Sequence, residues 1–164
     1  MSKPGLILIG AGGHARSCID VIEQQGQYQI AGLVGLAEQK HTQQLGYAVI
    51  ASDDALVELA KSYQYAFITI GQIQTAEHRL RLYRQAAQCG FQFPVIIAPT
   101  AHVSRHASIG AGSIVMQAAR FRFGAQALTS LVTGPHPSQC APASIPALTA
   151  SSLLAEADLR SVLL

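Results

Sequence analysis

Gly10-Ala11-Gly12-Gly13-His14-Ala15 is the stretch whose residue types and spacing could do chemistry. Gly10, Gly12 and Ala15 fit the pattern G-x-G-x-x-A. Glycine at 10 allows a tight turn, and glycine at 12 lets a ligand phosphate approach the backbone. A small residue at 15 lets a helix sit near a strand. The first turn of such a helix offers free N–H groups and a positive dipole end to an anion. The implied chemistry is the holding of a phosphate-bearing ligand. A blander reading stays open: the glycines serve only tight strand–helix packing, and His14 hydrogen-bonds the backbone at a helix start.

The flanks supply the elements that would position this turn. Leu6-Ile7-Leu8-Ile9 is an apolar run of the kind buried on both faces of a parallel sheet. Ala15, Cys18, Ile19 and Ile22 recur at the spacing of one helical face, and Gly26 is a suitable stop. Tyr28 to Val34 reads as a second strand. A dinucleotide-binding domain should close that strand with an acidic residue to hold a ribose. Here Gly35, Leu36 and Ala37 follow, and Glu38 is the first acid, which disfavours an NAD-dependent oxidoreductase.

A short third strand is expected near Val49-Ile50, then a helix capped by Ser52 with Leu56, Leu59 and Ala60 facing the sheet. Tyr65 to Ile70 is a further buried strand, ending at Gly71. A helix capped by Thr75 should run to about Gln88, with Leu80, Tyr83 and Ala87 inside and Gly90 as its stop. Arg79, Arg81 and Arg84 then fall on its wet face. Pro94-Val95-Ile96-Ile97 opens the next extended run. This alternation of strand and helix predicts a small parallel α/β domain over residues 1–94.

A period of six then replaces the alternation. Ile97, Val103, Ile109, Val115 and Phe121 are apolar, and Ala101, Ala107, Ser113, Ala119 and Ala125 stand four places after each. A flat strand has period two and does not hold a small residue at that offset. The hexads predict a triangular parallel β-helix over residues 95–126, with Gly110 and Gly112 at turns. His102 and His106 then fall on different sides of a coil. Zinc wants three or four converging ligands, so no metal site is expected.

Composition bounds the function classes. The chain has 164 residues, is 49% hydrophobic and only 12% charged, and carries a net charge of +2. That charge content is about half the usual value for a soluble domain. It favours a buried core with further surface covered by a partner chain. The basic residues are scattered, so no nucleic-acid partner is expected. Cys18, Cys89 and Cys140 form no C-x-x-C and read as reduced thiols or core filler. The apolar run after Lys3 is too short for a signal peptide, and no stretch is long enough to cross a membrane. A cytoplasmic protein is expected.

The glycine turn 10–15, the strand end Ile70-Gly71, and Pro99-Thr100-Ala101-His102-Val103 leading into Ile109-Gly110-Ala111-Gly112-Ser113-Ile114-Val115 resemble one family. It is the sugar O- and N-acetyltransferases of the sialic-acid and bacillosamine type. The resemblance covers residues from about 5 to 126. It implies an N-terminal Rossmann-like domain, a left-handed β-helix, a homotrimer and acetyl-CoA as donor. The implied acceptor is an amino sugar, often nucleotide-linked, or a sialic acid. By position, Gly10, Ala11, Gly12, Gly13 and His14 would contact that acceptor, with Gly71 nearby.

The chain departs from the family at several places. Gly35-Leu36 stands where an acidic pair is usual, and Ala127-Leu128 where an isoleucine-glycine pair should open the next hexad. The catalytic histidine should fall near Ala141, and no histidine is there. Thr133-Gly134 resembles the turn before it, but His136 follows too soon, between Pro135 and Pro137, so no catalytic residue is assigned. Residues 127–164 lose the hexads and hold Pro135, Pro137, Pro142 and Pro146, which oppose ladder hydrogen bonding. The abrupt change is the mark of a frameshift or early stop, or of a short variant with a poorly ordered tail. The expectations are therefore an acetyl-CoA-dependent acetyltransferase impaired by missing coils, or a remnant that binds a nucleotide sugar without transfer.

Overall fold

The structure is a computed structural model that describes residues 2–71, 77–121 and 126–127. Strand β1 (Gly5–Ile9) lies inside the sheet, and Leu6, Ile7, Leu8 and Ile9 are all fully buried. Leu6 and Leu8 join the core on one face, and Ile7 and Ile9 the core on the other. Burying one such side chain is worth about 1.5–3 kcal/mol, which is why an uninterrupted apolar run can sit only here.

Helix α1 (Gly13–Gln25) packs Ala15, Cys18, Ile19 and Ile22 on the first face. It ends as expected at Gly26, whose φ of 68° lets its N–H reach the Ile22 carbonyl at 3.0 Å. β2 (Gln29–Gly35) pairs with β1 in parallel. β3 (Gln43–Gln44) and β4 (Tyr47–Ser52) form an antiparallel hairpin, and β4 adds to β2 in parallel. β5 (Tyr65–Ile68) pairs with the other edge of β1. The sheet order is β3-β4-β2-β1-β5.

Three local readings need correction. Ser52 makes no side-chain cap, because a 3-10 turn over Asp53–Ala55 precedes α2 (Leu56–Ser62). The hairpin strand β3 was not foreseen; Leu45 and Gly46 link it to β4 with φ of 49° and 87°, as a two-residue primed turn requires. In α3 (Glu77–Gln88) the buried residues are Leu82 and Ala86, while Leu80 and Tyr83 are half-buried and Ala87 is exposed. The inward stripe is Arg79, Leu82 and Ala86. Its first member is charged, so apolar periodicity alone points to the neighbouring stripe. Thr75 lies outside the described residues.

The period of six is realised as a three-sided coil. β6 (Ile96–Ile97), β7 (His102–Val103) and β8 (Ser108–Ile109) form its first three sides. β9 (Ile114–Val115), β10 (Arg120–Phe121) and β11 (Gln126–Ala127) lie over them in parallel. Turn bonds recur with the same period. The N–H groups of Ala101, Ala107, Ser113 and Ala119 donate to the carbonyls of Ala98, Ser104, Gly110 and Met116 at 2.9–3.3 Å. Ile97, Val103 and Ile109 pack with Ala101 and Ala107 around buried Val115 and Ala119, so large and small columns fill one interior. Gly112 supplies a φ of 72° at its turn, whereas Gly110 has no positive φ. His102 and His106 are exposed. Phe121 and Ala125 carry the last hexad, whose side chains, like residues 128–164, lie outside the described ones.

The coil is seated on the α/β unit. Ile96 and Ala98 are buried in the core that α1 completes, with Ile114 and Met116 packed against it. Gln117 Nε2 donates to Asp20 Oδ2 on α1 at 2.6 Å. No described helix is long and apolar enough to cross a membrane.

Candidate functional site

The carboxyl ends of β1, β2 and β5 meet at one crevice, where ligands bind in open parallel sheets. Hydrogen bonds tie the three ends together. Gly10 N–H donates to the Val34 carbonyl at 2.8 Å, and Thr69 N–H to the Ile9 carbonyl at 2.8 Å. Thr69 Oγ1 donates to the Gly10 carbonyl at 2.6 Å with Thr69 fully buried. The crevice holds about 410 Å³ and is lined by Gly10, Ala11, Gly12, Gly13, His14 and Gly71, the six residues singled out from the sequence. That volume suits a small-molecule site.

The glycines of the turn are not equivalent. Gly10 has a φ of 121°, and a Cβ there would stand 2.6 Å from Ile70 Cγ1. Chain geometry alone requires glycine at 10. At Gly12 and Gly13 a Cβ would meet nothing within 4 Å, and neither has a positive φ. Their small size is unused by the described residues and faces the crevice. α1 begins at this point with no side-chain cap and no acidic residue in its first turn. Ala15 N–H donates to the Gly12 carbonyl at 3.1 Å, which leaves the N–H groups of Gly13 and His14 as the ones an anion could take.

The sequence did not disclose the second layer that holds the turn. Gln44 Nε2, on the β3–β4 hairpin, donates to the Ala11 carbonyl at 3.0 Å, and Arg16 Nε donates to Gln44 Oε1 at 2.7 Å. The opposite wall brings Leu36, Gln39, Asp53, Ile70 and His78. Gln39 Oε1 accepts from Leu36 N–H at 3.1 Å, and a Cβ on Gly35 would stand 2.8 Å from that oxygen and 3.1 Å from Ala11 Cβ. A side chain at 35 would require the Gln39 amide to move and Ala11 and Val49 to give slightly, so the wall is closely packed where an acidic residue is usual. Leu36 is 57% exposed at the rim. Exposed polar wall residues carry no periodicity, and only their proximity to strand ends could have marked them.

Behind the turn lies a cluster of three polar side chains. His14 Nε2 and Cys18 Sγ are 3.4 Å apart, one helical turn from each other on α1. Arg79 is not on a wet face as expected; it is half-buried, and its Nη1 donates to the Ile70 carbonyl at 3.0 Å. Burial holds the His14 imidazole below its ordinary value, and the Arg79 charge adds to this. Burial pushes the Cys18 thiol up to about 12, with Arg79 opposing. Burial also lowers Arg79. Cys18 is the buried thiol expected from the sequence, but it also touches a residue of the crevice. No three His, Cys, Asp or Glu side chains among the described residues are placed to hold a metal ion.

Residues 5–85 match the model of the PglD N-terminal domain. The chain is similar in structure to the perosamine N-acetyltransferase from Caulobacter crescentus in complex with CoA and GDP-perosamine. Identity is 29%, the TM-score is 0.69, and the match covers 76% of this chain and 57% of that one. It is also similar to the acetyltransferase domain of PglB from Neisseria gonorrhoeae FA1090 in complex with acetyl coenzyme A. There identity is 30%, the TM-score is 0.65, and coverage is 76% of this chain and 58% of the other. A search of curated proteins gives no match. The chain thus spans 57–58% of the length of these two relatives. It is related to acetyl-CoA-dependent nucleotide-sugar N-acetyltransferases, with a Rossmann-like domain followed by the start of a β-helix.

Proposed function

We propose that this relative of the nucleotide-sugar N-acetyltransferases uses the crevice over β1, β2 and β5 to hold a nucleotide-linked amino sugar as acetyl acceptor, with acetyl-CoA as donor. Gly10 shapes the turn, Ala11 and Gly12 line it, and Gly13 and His14 open α1 toward the ligand phosphates. Gly71 closes the far side against His14, to whose Cβ its own added Cβ would come within 3.4 Å. The observation that carries this reading is the pair Gly12 and Gly13. No described atom and no backbone angle requires glycine at either, and both face a crevice of small-molecule size. An approaching phosphate supplies the missing reason.

Acetyl transfer needs a base to take the proton from the attacking amine or hydroxyl as the thioester opens. It also needs a groove long enough for coenzyme A, which the resemblance assigns to coils of neighbouring subunits in a trimer. A second reading has one observation in its favour: no histidine stands near Ala141, where the family's catalytic one should fall. In that reading the chain binds the nucleotide sugar and transfers nothing.

Thermal-shift measurements with GDP- and UDP-linked amino sugars, acetyl-CoA and NAD⁺, together with an assay of free CoA release, separate the readings. Stabilisation by a nucleotide sugar, with CoA released when acetyl-CoA is added, is the expected result. Stabilisation by nucleotide sugar without CoA release selects the binding-only reading. Stabilisation by NAD⁺ alone overturns both.

A further inference from the structure

We propose that Cys18 is a positioning residue: its thiol donates to His14 Nε2, which places the imidazole proton on Nδ1 and makes His14 a neutral hydrogen-bond donor at the crevice. The geometry is local and rigid. His14 and Cys18 are one turn apart on α1, with Nε2 and Sγ 3.4 Å from each other. Cys18 is fully buried by the same core that fixes the helix. Among the described residues, His14 Nδ1 has no hydrogen-bond partner, and His14 lines the crevice.

Chemistry decides the direction of the bond. A neutral imidazole carries one N–H and one lone pair, and what one nitrogen bonds fixes the other. A bare imidazole nitrogen is a far better acceptor than a thiol sulfur, so the pair is best satisfied as S–H···N. The groups around it agree. The thiol, pushed up to about 12, keeps its proton at physiological pH. Arg79 of α3 acts on both members and disfavours an imidazolium beside it. Asp53 and His78 also line the crevice, and among the described residues neither makes a hydrogen bond or ion pair with His14.

The consequence concerns recognition. His14 would read an acceptor oxygen of the ligand as a neutral donor rather than as a cation. This consequence rests on the acceptor-site reading above, whereas the tautomer does not.

The two are tested separately in the full chain. Two-bond proton–nitrogen correlation spectra of the ¹⁵N-labelled protein report each histidine tautomer, and the His14 signals are identified by their loss in His14→Asn. The expected wild-type result is a proton on Nδ1, retained in Cys18→Ser and lost to a mixed or Nε2–H form in Cys18→Ala. A wild-type proton on Nε2, or an unchanged tautomer in Cys18→Ala, overturns the proposal. If Cys18→Ser does not fold, the wild-type and Cys18→Ala spectra decide. GDP affinity is then compared in the two side-chain mimics. His14→Asn, which keeps a donor at the δ position, should bind GDP more tightly than His14→Gln, which moves the donor away. His14→Gln should lose about fivefold, the size expected of one neutral hydrogen bond. Equal losses in both remove the proposed donor role, while absent GDP binding in the wild type counts against the acceptor site and leaves the tautomer result standing.

Discussion

Thr69 Oγ1 donates to the carbonyl oxygen of Gly10 at 2.6 Å, across 59 residues of chain and out of reach of water. This bond joins the end of β5 to the glycine turn after β1, and with the Thr69 N–H to Ile9 carbonyl bond it fixes the spacing of the two crevice walls. Removing the hydroxyl leaves a buried carbonyl short of a partner. Thr69→Val should cost about 1–3 kcal/mol, and Thr69→Ser much less. Urea unfolding of the two variants measures the difference; equal midpoints would show that the contact is not needed.

Gly10 and Gly12 predict opposite behaviour. Gly10→Ala forces a Cβ to 2.6 Å from Ile70 Cγ1 at a φ of 121°, and should destabilise by about 2 kcal/mol or more. Gly12→Ser enters open space at the cap of α1, where serine is at least as good as glycine, and should leave stability within about 0.5 kcal/mol. Nucleotide-sugar affinity should nevertheless fall about tenfold or more in Gly12→Ser, because the hydroxyl occupies the phosphate's approach. Calorimetric titration alongside thermal melting checks both.

The pH dependence follows from His14. Its folded value lies below 6.5, through burial first and Arg79 second. Under acid the unfolded chain takes up a proton that the folded chain refuses. Stability from this residue is therefore full above about 6.5 and falls as pH drops toward the folded value. His14→Asn should flatten that part of the curve. Denaturant midpoints of both proteins between pH 7.5 and pH 5 give the comparison; parallel curves would assign the slope to other histidines.

Cys18 should resist alkylation in the native protein. Its side chain is fully buried, and the thiolate is disfavoured by a value of about 12. Iodoacetamide at pH 8 should label Cys89, which is half-buried, well before Cys18. Peptide mass spectrometry reads the order, and prompt modification of Cys18 would show that α1 opens readily.

The legible parts of the fold are those where one physical demand repeats. Leu6 to Ile9 had to be buried on both faces, and the hexads from Ile97 onward had to turn every six residues; both demands act through apolar residues in a fixed rhythm. The glycine turn was legible because its residues are few and its spacing is rigid. Arg79 was placed on the wrong face because a half-buried guanidinium bonded to a carbonyl breaks the rule that charge faces water. Gln44, Gln39 and Asp53 carry no pattern at all. Gln39 and Asp53 reach the crevice from two separate 3-10 turns, Ala37–Gln39 and Asp53–Ala55, and Gln44 supports the glycine turn from the polar hairpin. The seating of the coil on α1 was equally hidden, since Ile96 and Ala98 flank the hexad residue Ile97 and face the other way.

The three-sided coil has a further implication for how its length can vary. Ile96 and Ile97 lie beneath Ile114 and Ile97's rung-mate Val115, and every later side rests on the one a full circuit before. Deleting a whole circuit would shorten the column without turning it. Deleting a single side would rotate everything beyond the cut by about a third of a circle. The face now resting on α1 would then swing away, and a different face would be presented to the five-stranded sheet. Length change in such a column is therefore quantised, and only whole circuits preserve what it points at.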